Sequence, residues 1–209
     1  MKPRGKIIAV AGSDPKAGAS MVAKSLAQYL AKETGEAILY LERCGKARVI
    51  APWNDAEMTL TEAGLSHLLG AEWEEASEEM RERFAFTLSD TGTEEPCEAD
   101  RLVLVVNQLA SSLKAAERSA PAFEARFGGT DGLPGNGKAR RLLCLNRYLP
   151  GDPHDAAYVR RIFPGWEILL VPESPRGREA DWEGVTIPSL GDRPYRRAVK
   201  EGVKWILNS

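Results

Sequence analysis

Short apolar runs alternate with stretches of helical periodicity along the whole chain, the pattern of a mostly parallel sheet with helices on both faces. Strands are expected at Lys6–Ala11, Ala37–Leu41, Arg48–Ala51, Phe84–Leu88, Arg101–Val106, Arg141–Leu145 and Glu167–Val171. A first helix, from about Ala19 to Lys32, aligns Val22, Leu26, Tyr29 and Leu30 on one face and stops near Gly35. A second should begin at the capping box Thr59-x-x-Glu62 and end at Gly70. An acidic helix from Glu72 to Arg83 would turn Trp73, Ala76 and Met80 inward. Ser111 to Phe127 reads as helical with Leu113, Ala116 and Phe123 inward, and Pro121 is expected to kink or restart it. Asp155 suits the cap of a short helix bearing Tyr158, Val159 and Ile162. A closing helix from Pro194 places Tyr195, Ala198, Val199, Val203, Ile206 and Leu207 on one side. Such a face can lie on a membrane, but it is expected here to pack on the sheet.

Composition narrows the class. The 209 residues suffice for one α/β domain spanning 1–209 with a full core. Lys+Arg 28 against Asp+Glu 30 gives a net charge of -2, which does not favour nucleic acid as a partner. Cys44, Cys97 and Cys144 are too scattered for a disulfide framework or a zinc site and read as small buried residues beside strands. No stretch approaches the ~20 apolar residues of a membrane span, and the apolar run after the basic start is too short for a signal peptide, so a cytoplasmic protein without integral membrane association is expected. The glycine-rich segment Gly128–Lys138 precedes a strand instead of joining strand to helix, and reads as a flexible connection.

The chemistry concentrates between the first strand and the first helix. Ala9 to Ser20 reads AVAGSDPKAGAS, with the length and placement of a phosphate-binding loop. The general pattern is G-x-x-x-x-G-K-[ST], in which backbone N–H groups cradle phosphates and the lysine reaches the β- and γ-phosphates. Anchored on Gly18 and Ser20, the lysine position falls on Ala19 and the leading glycine on Ser13. The hydroxyl suited to Mg²⁺ survives as Ser20. Glu42 and Asp90 end two further strands, and in a doubly wound sheet such carboxylates face the same crevice as the loop, where they can hold Mg²⁺ or position water. Glu42 also reads as a solvated strand end, and Asp90, before Thr91-Gly92, as a turn residue.

Together these segments resemble the MinD/ParA family of P-loop ATPases with a deviant Walker A motif, and within it the CpaE/TadZ branch associated with pilus assembly. The family's KGGxGKT aligns without a gap on Asp14-Pro15-Lys16-Ala17-Gly18-Ala19-Ser20. Its acidic second-strand residue corresponds to Glu42, and its Asp-Thr-Pro-like turn to Ser89-Asp90-Thr91-Gly92. Ala99 to Val106 is similar to its "aD.vllV" strand, Cys144-Leu145-Asn146-Arg147 to its "vlNR" segment, and Val171-Pro172-Glu173 to its "iPed". The resemblance implies a three-layer P-loop fold, ATP or ADP with Mg²⁺ as cofactors, and protein partners including a second copy of the chain. It implies a phosphate site over Lys16, Ala17, Gly18, Ala19, Ser20 and Met21, and a metal site at Ser20 and Asp90. Asp90 and Glu42 would be catalytic, and Asn146, Arg147, Pro172 and Glu173 would surround the base.

The departures weaken the chemistry. Both phosphate lysines of the family are replaced, by Ala19 and by Asp14, and its two middle glycines are Pro15 and Lys16. Proline removes an N–H from the amide cradle, and a carboxylate stands near the γ-phosphate position. Each charge-assisted hydrogen bond lost costs about 1.5–3 kcal/mol, on the order of 10- to 100-fold in affinity. The expectation is a scaffold or positioning factor for a pilus or secretion assembly, with weak or absent ATP binding and hydrolysis. Lys16 supplies the alternative, a working ATPase in which it substitutes for the missing lysine. A metal-chaperone on the same fold would need a Cys/His cluster, and the chain has only His67 and His154.

Overall fold

A computed structural model describes residues 5–42, 47–50, 57–59, 78, 80–94, 99–127 and 140–208. Its strands are β1 (Lys6–Gly12), β2 (Ile38–Leu41), β3 (Ala47–Ile50), β4 (Glu57–Thr59), β5 (Phe86–Gly92), β6 (Arg101–Asn107), β7 (Arg140–Tyr148) and β8 (Glu167–Pro172). They form one sheet in the order β4-β3-β2-β5-β1-β6-β7-β8. From β2 to β8 every neighbouring pair is parallel, whereas β3 and β4 are antiparallel additions at one edge. The chain leaves β1 towards β2 on one side and reaches β6 on the other, so β1 marks the switch point where ligands of doubly wound sheets sit.

The central strands are apolar on both faces, as parallel strands covered by helices must be. Ile7 to Ala11 and Leu102 to Val106 are wholly buried. Alternate residues divide between two cores. Ile8, Val10, Val103, Val105, Cys144 and Val171 face α1 (Ala19–Thr34) and the C-terminal helix over Arg193–Leu207, while Ala9, Ala11, Leu104, Val106, Leu143 and Leu145 face the helices Ala110–Phe127 and Ala156–Ile162. The expected three-layer α/β fold is what forms.

Besides α1 and a helical stretch at 80–83, the described residues form α2 (Ala110–Phe127), α3 (Ala156–Ile162), α4 (Gly177–Glu183) and α5 (Arg193–Leu207), with a 3-10 turn at Ile187–Leu190. Gly35 closes α1 in a left-handed cap, and Asp155 accepts hydrogen bonds from the Ala157 and Tyr158 amides to start α3. The face of α5 carrying Tyr195, Ala198, Val199, Val203 and Ile206 is buried in the core. Among the described residues no helix is long and apolar enough to cross a membrane.

Several expectations need correction. Strand β5 begins at Phe86 and runs through Asp90 to Gly92, so it starts and ends later than expected. Strand β7 is extended at both ends, to Arg140 and Tyr148. Thr59 is the last residue of β4, an unforeseen strand, and the rest of its capping box lies outside the described residues. The helix expected beyond it, Trp73, Cys44, Cys97 and the glycine-rich segment lie outside the described residues; Met80, in the helical stretch 80–83, is buried as expected. Helix α2 passes through Pro121 without interruption. The carbonyl left without an intrahelical donor there belongs to Glu117, on the exposed side, where water can serve it. Helix α4 and the 3-10 turn were not foreseen, because seven- and four-residue elements carry too little periodicity.

Candidate functional site

The loop from Ser13 to Gly18 joins β1 to α1 at the carboxyl end of the sheet. Gly18 stands at the cap position with φ 86 and no side chain to cap the helix, so the first N–H groups of α1 point out of the loop as the end of an uncapped helix. Only glycine suits Gly18. Besides its left-handed φ, a Cβ there would lie 2.4 Å from the Asn146 side-chain nitrogen.

Most of the preceding amides are already committed inside the protein. The Ser13 N–H donates to the Val105 carbonyl at 2.9 Å, and the Ala17 N–H to the Asp14 carbonyl at 3.1 Å. Lys16 N–H donates to Asp14 Oδ1 at 2.8 Å. Pro15 has no N–H. The loop is therefore a closed turn built around Asp14 and not an open nest of donors.

Three neighbours pin this turn. The buried Asn146 amide, from β7, donates to the Ala17 carbonyl at 2.8 Å. Ser13 Oγ lies 2.7 Å from Ser112 Oγ on α2, and 3.3 Å from Asp14 Oδ2, to which it donates. Ser112 Oγ in turn accepts the Asn107 N–H at 3.1 Å. Val105, on β6, supplies the third contact through its carbonyl.

On the other side of β1, Asp90 pairs in register with Val10. Its side chain is buried at 4% exposure; Oδ1 accepts the Gly92 N–H at 3.1 Å and Oδ2 lies 3.5 Å from the Tyr40 hydroxyl. Burial first, then the carboxylates of Asp90 and Glu42, push the Tyr40 phenol far above its ordinary value. Glu42 follows β2 and is paired with Arg48 of β3 at 2.8 Å. A Cβ on Gly12 would lie 3.2 Å from Ala19 Cβ and 3.5 Å from the Gly92 carbonyl, so the start of α1 and the Asp90–Gly92 turn both flank the end of β1.

The structure thus brings Lys16, Ala17, Gly18, Ala19 and Asn146 together, with Asp90 across β1 and Glu42 one strand further out. Ser20 and Lys16 are exposed, Met21 half-buried, and Ala17 and Ala19 buried. Arg147 is exposed with φ 55, at the register shift where β7 leaves β8. Pro172 ends β8 half-buried beside Tyr148, and the exposed Glu173 donates its N–H to the Tyr148 carbonyl at 3.3 Å. A cleft of about 350 Å³ lined by Trp166, Glu167, Leu169, Glu201 and Trp205 lies near the first residue of β8, at the opposite end of the strands from the loop.

Ser20 and Asp90 offer hard oxygen donors of the kind Mg²⁺ takes. The phosphate half of a nucleotide fits less well: the first N–H groups of α1 face outward, but the Lys16 and Ala17 amides are bonded within the turn, Pro15 has none, and the Asp14 carboxylate stands beside them. Among the described residues no group of His, Cys, Asp and Glu could hold a metal ion by itself. Sequence reading missed Ser112 and Tyr40. Ser112 carried one signal, a hydroxyl residue near the start of a helix that follows a strand; Tyr40 carried none beyond its place on β2.

The order of strands and the helices on both faces give the α/β fold of the MinD/ParA ATPases. The structure resembles a chain of the MinC:MinD cell division protein complex from Aquifex aeolicus, with TM-score 0.72 at 16% identity over 98% of this chain and 97% of that one. It also resembles a ParA family ATPase from Chlorobium tepidum TLS, with TM-score 0.69 at 12% identity over 98% of each chain. The septum site-determining protein MinD complexed with Mg-ADP from Pyrococcus horikoshii OT3 gives TM-score 0.63 at 17% identity over 93% of each. By sequence, no protein-family model matches the chain and no curated protein is similar to it.

Proposed function

We propose that this protein is a MinD/ParA-type P-loop protein whose loop has lost its phosphate-binding power, and that it works through protein contacts as a scaffold or positioning factor. One observation carries the reading. The lysine position is Ala19, and the loop before it is closed upon its own Asp14 through the Lys16 amide. Phosphoryl transfer depends on positioned cations as well as donors, and this loop has no lysine in the usual place. Fold neighbours include a chain of the MinC:MinD cell division protein complex, which supports a partner-binding role, with a second copy of the chain as a further partner. The resemblance to the CpaE/TadZ branch points to a pilus or secretion assembly in the cytoplasm. Nucleotide with Mg²⁺, if taken up at Ser20 and Asp90, is held weakly and turned over very slowly or not at all.

Steady-state Mg-ATP hydrolysis, compared between the wild-type chain and Asp90→Ala, tests this. Both should sit at the same background rate. Turnover comparable to that of ordinary MinD/ParA ATPases, and abolished by Asp90→Ala, would overturn it.

A further inference from the structure

We propose that the Asp14 carboxylate is a built-in competitor for phosphate, an autoinhibitory contact that occupies the loop's donors from within the chain. The inference rests on reading Ser13–Ser20 as the phosphate position. A carboxylate and a phosphate oxygen seek the same partners, backbone N–H groups and hydroxyls. Asp14 Oδ1 holds the Lys16 N–H at 2.8 Å and Oδ2 accepts from Ser13 Oγ at 3.3 Å. A phosphate entering the loop would have to displace that carboxylate or lie against its charge.

The contact is supported from outside the loop, and the direction of the hydrogen bonds follows from chemistry. The Asp14 carboxylate can only accept, so Ser13 Oγ gives it its single hydrogen. The 2.7 Å contact between the two hydroxyls is then donated by Ser112, whose oxygen in turn accepts the Asn107 N–H. The relay Asn107, Ser112, Ser13, Asp14 runs one way and ends on the anion, an arrangement in which each bond polarises the next. Pro15 reinforces it, because a proline after Asp14 favours the turn in which an aspartate side chain accepts the amide two residues on. The loop is ordered around its own anion, so its order does not depend on a nucleotide.

Calorimetric titration of the full chain with pyrophosphate and with ADP tests the proposal in wild type, Asp14→Asn, Asp14→Gly and Ser112→Ala. Asp14→Asn keeps an oxygen for the Lys16 amide while removing the charge, so it stays informative if glycine loosens the loop; thermal melts check that each variant is folded. Both Asp14 variants should bind pyrophosphate and ADP at least about 10-fold more tightly than wild type, and Ser112→Ala should move affinity the same way by a smaller factor. Affinities within about two-fold of wild type, or weaker, in both Asp14 variants would overturn the contact as a competitor. The ratio of variant to wild type decides this question, whereas the Asp90→Ala turnover comparison decides the function, so each can fail without the other.

Discussion

The Asn146 side-chain amide donates to the Ala17 carbonyl at 2.8 Å, joining the carboxyl end of β7 to the loop after β1 across 129 residues of sequence. Both residues are buried, Asn146 at 5% and Ala17 at 0% exposure. An asparagine assigned by resemblance to the base pocket therefore has a structural task as well, holding the turn that contains Asp14.

Removing that donor leaves a buried carbonyl without its partner. Asn146→Ala should cost about 1–3 kcal/mol of stability, read from the urea midpoint. Asn146→Asp should cost at least as much, because it sets a carboxylate oxygen against the Ala17 carbonyl. Two variants as stable as wild type would remove Asn146 from the loop's support.

Gly18→Ala meets two obstacles, the left-handed φ of 86 and the Asn146 nitrogen 2.4 Å from the new Cβ. The backbone term alone is about 1–2 kcal/mol. Because part of the cost is the contact with Asn146, the same substitution should cost less in an Asn146→Ala background, and a double-mutant cycle measures the difference. Strict additivity would contradict the close approach.

Cys144 gives a pH signature. Complete burial pushes its thiol up to about 12 from the ordinary 9.0. The unfolded chain then loses this proton first as pH rises, so the thiol's contribution is fully present below about pH 9 and is lost progressively towards pH 12. The Tyr40 and Tyr195 phenols are raised from 10.0, so they act in the same direction only at higher pH. Unfolding free energies from urea titrations at pH 8, 9 and 10 should fall more steeply for wild type than for Cys144→Ala, by up to about 1.4 kcal/mol per pH unit. Equal slopes would count against the buried thiol.

Lys16 separates the proposed function from the working-ATPase alternative. It is exposed on the loop, and its backbone amide, not its side chain, makes the contact with Asp14. Lys16→Ala should leave both stability and ADP affinity unchanged within about two-fold. Loss of nucleotide binding with the fold intact would favour the alternative.

Much of the fold was legible because the central strands are apolar on both faces and the helices between them keep a clear 3.6-residue period. Ile7–Ala11 and Leu102–Val106 could hardly be anything but buried parallel strands, and Gly35 and Asp155 punctuate their helices as expected. Edges and short elements were not legible. Strand β4 has three residues, and the continuation of β5 to Gly92 depends on its pairing with β1, which no local pattern encodes. In the site, sequence placed the loop and Asp90 correctly at the end of β1 and β5. It treated Asp14 as a charge facing an absent ligand, whereas the carboxylate turns inward onto Lys16 and Ser13. Ser112 could not be linked to the loop from sequence, since 99 residues separate it from Ser13.

A thermal-shift titration of the wild-type chain with Mg-ATP and Mg-ADP tests the central claim most directly. Ligand at 100 times its dissociation constant would stabilise the fold by about 2.7 kcal/mol, on the order of 5–10 °C for a chain of this size. The closed, cation-poor loop predicts a flat response up to about 1 mM nucleotide, which corresponds to binding energies no better than about −4 kcal/mol. A shift of several degrees at about 10 μM, where binding would have to reach roughly −8 kcal/mol or better, would contradict it.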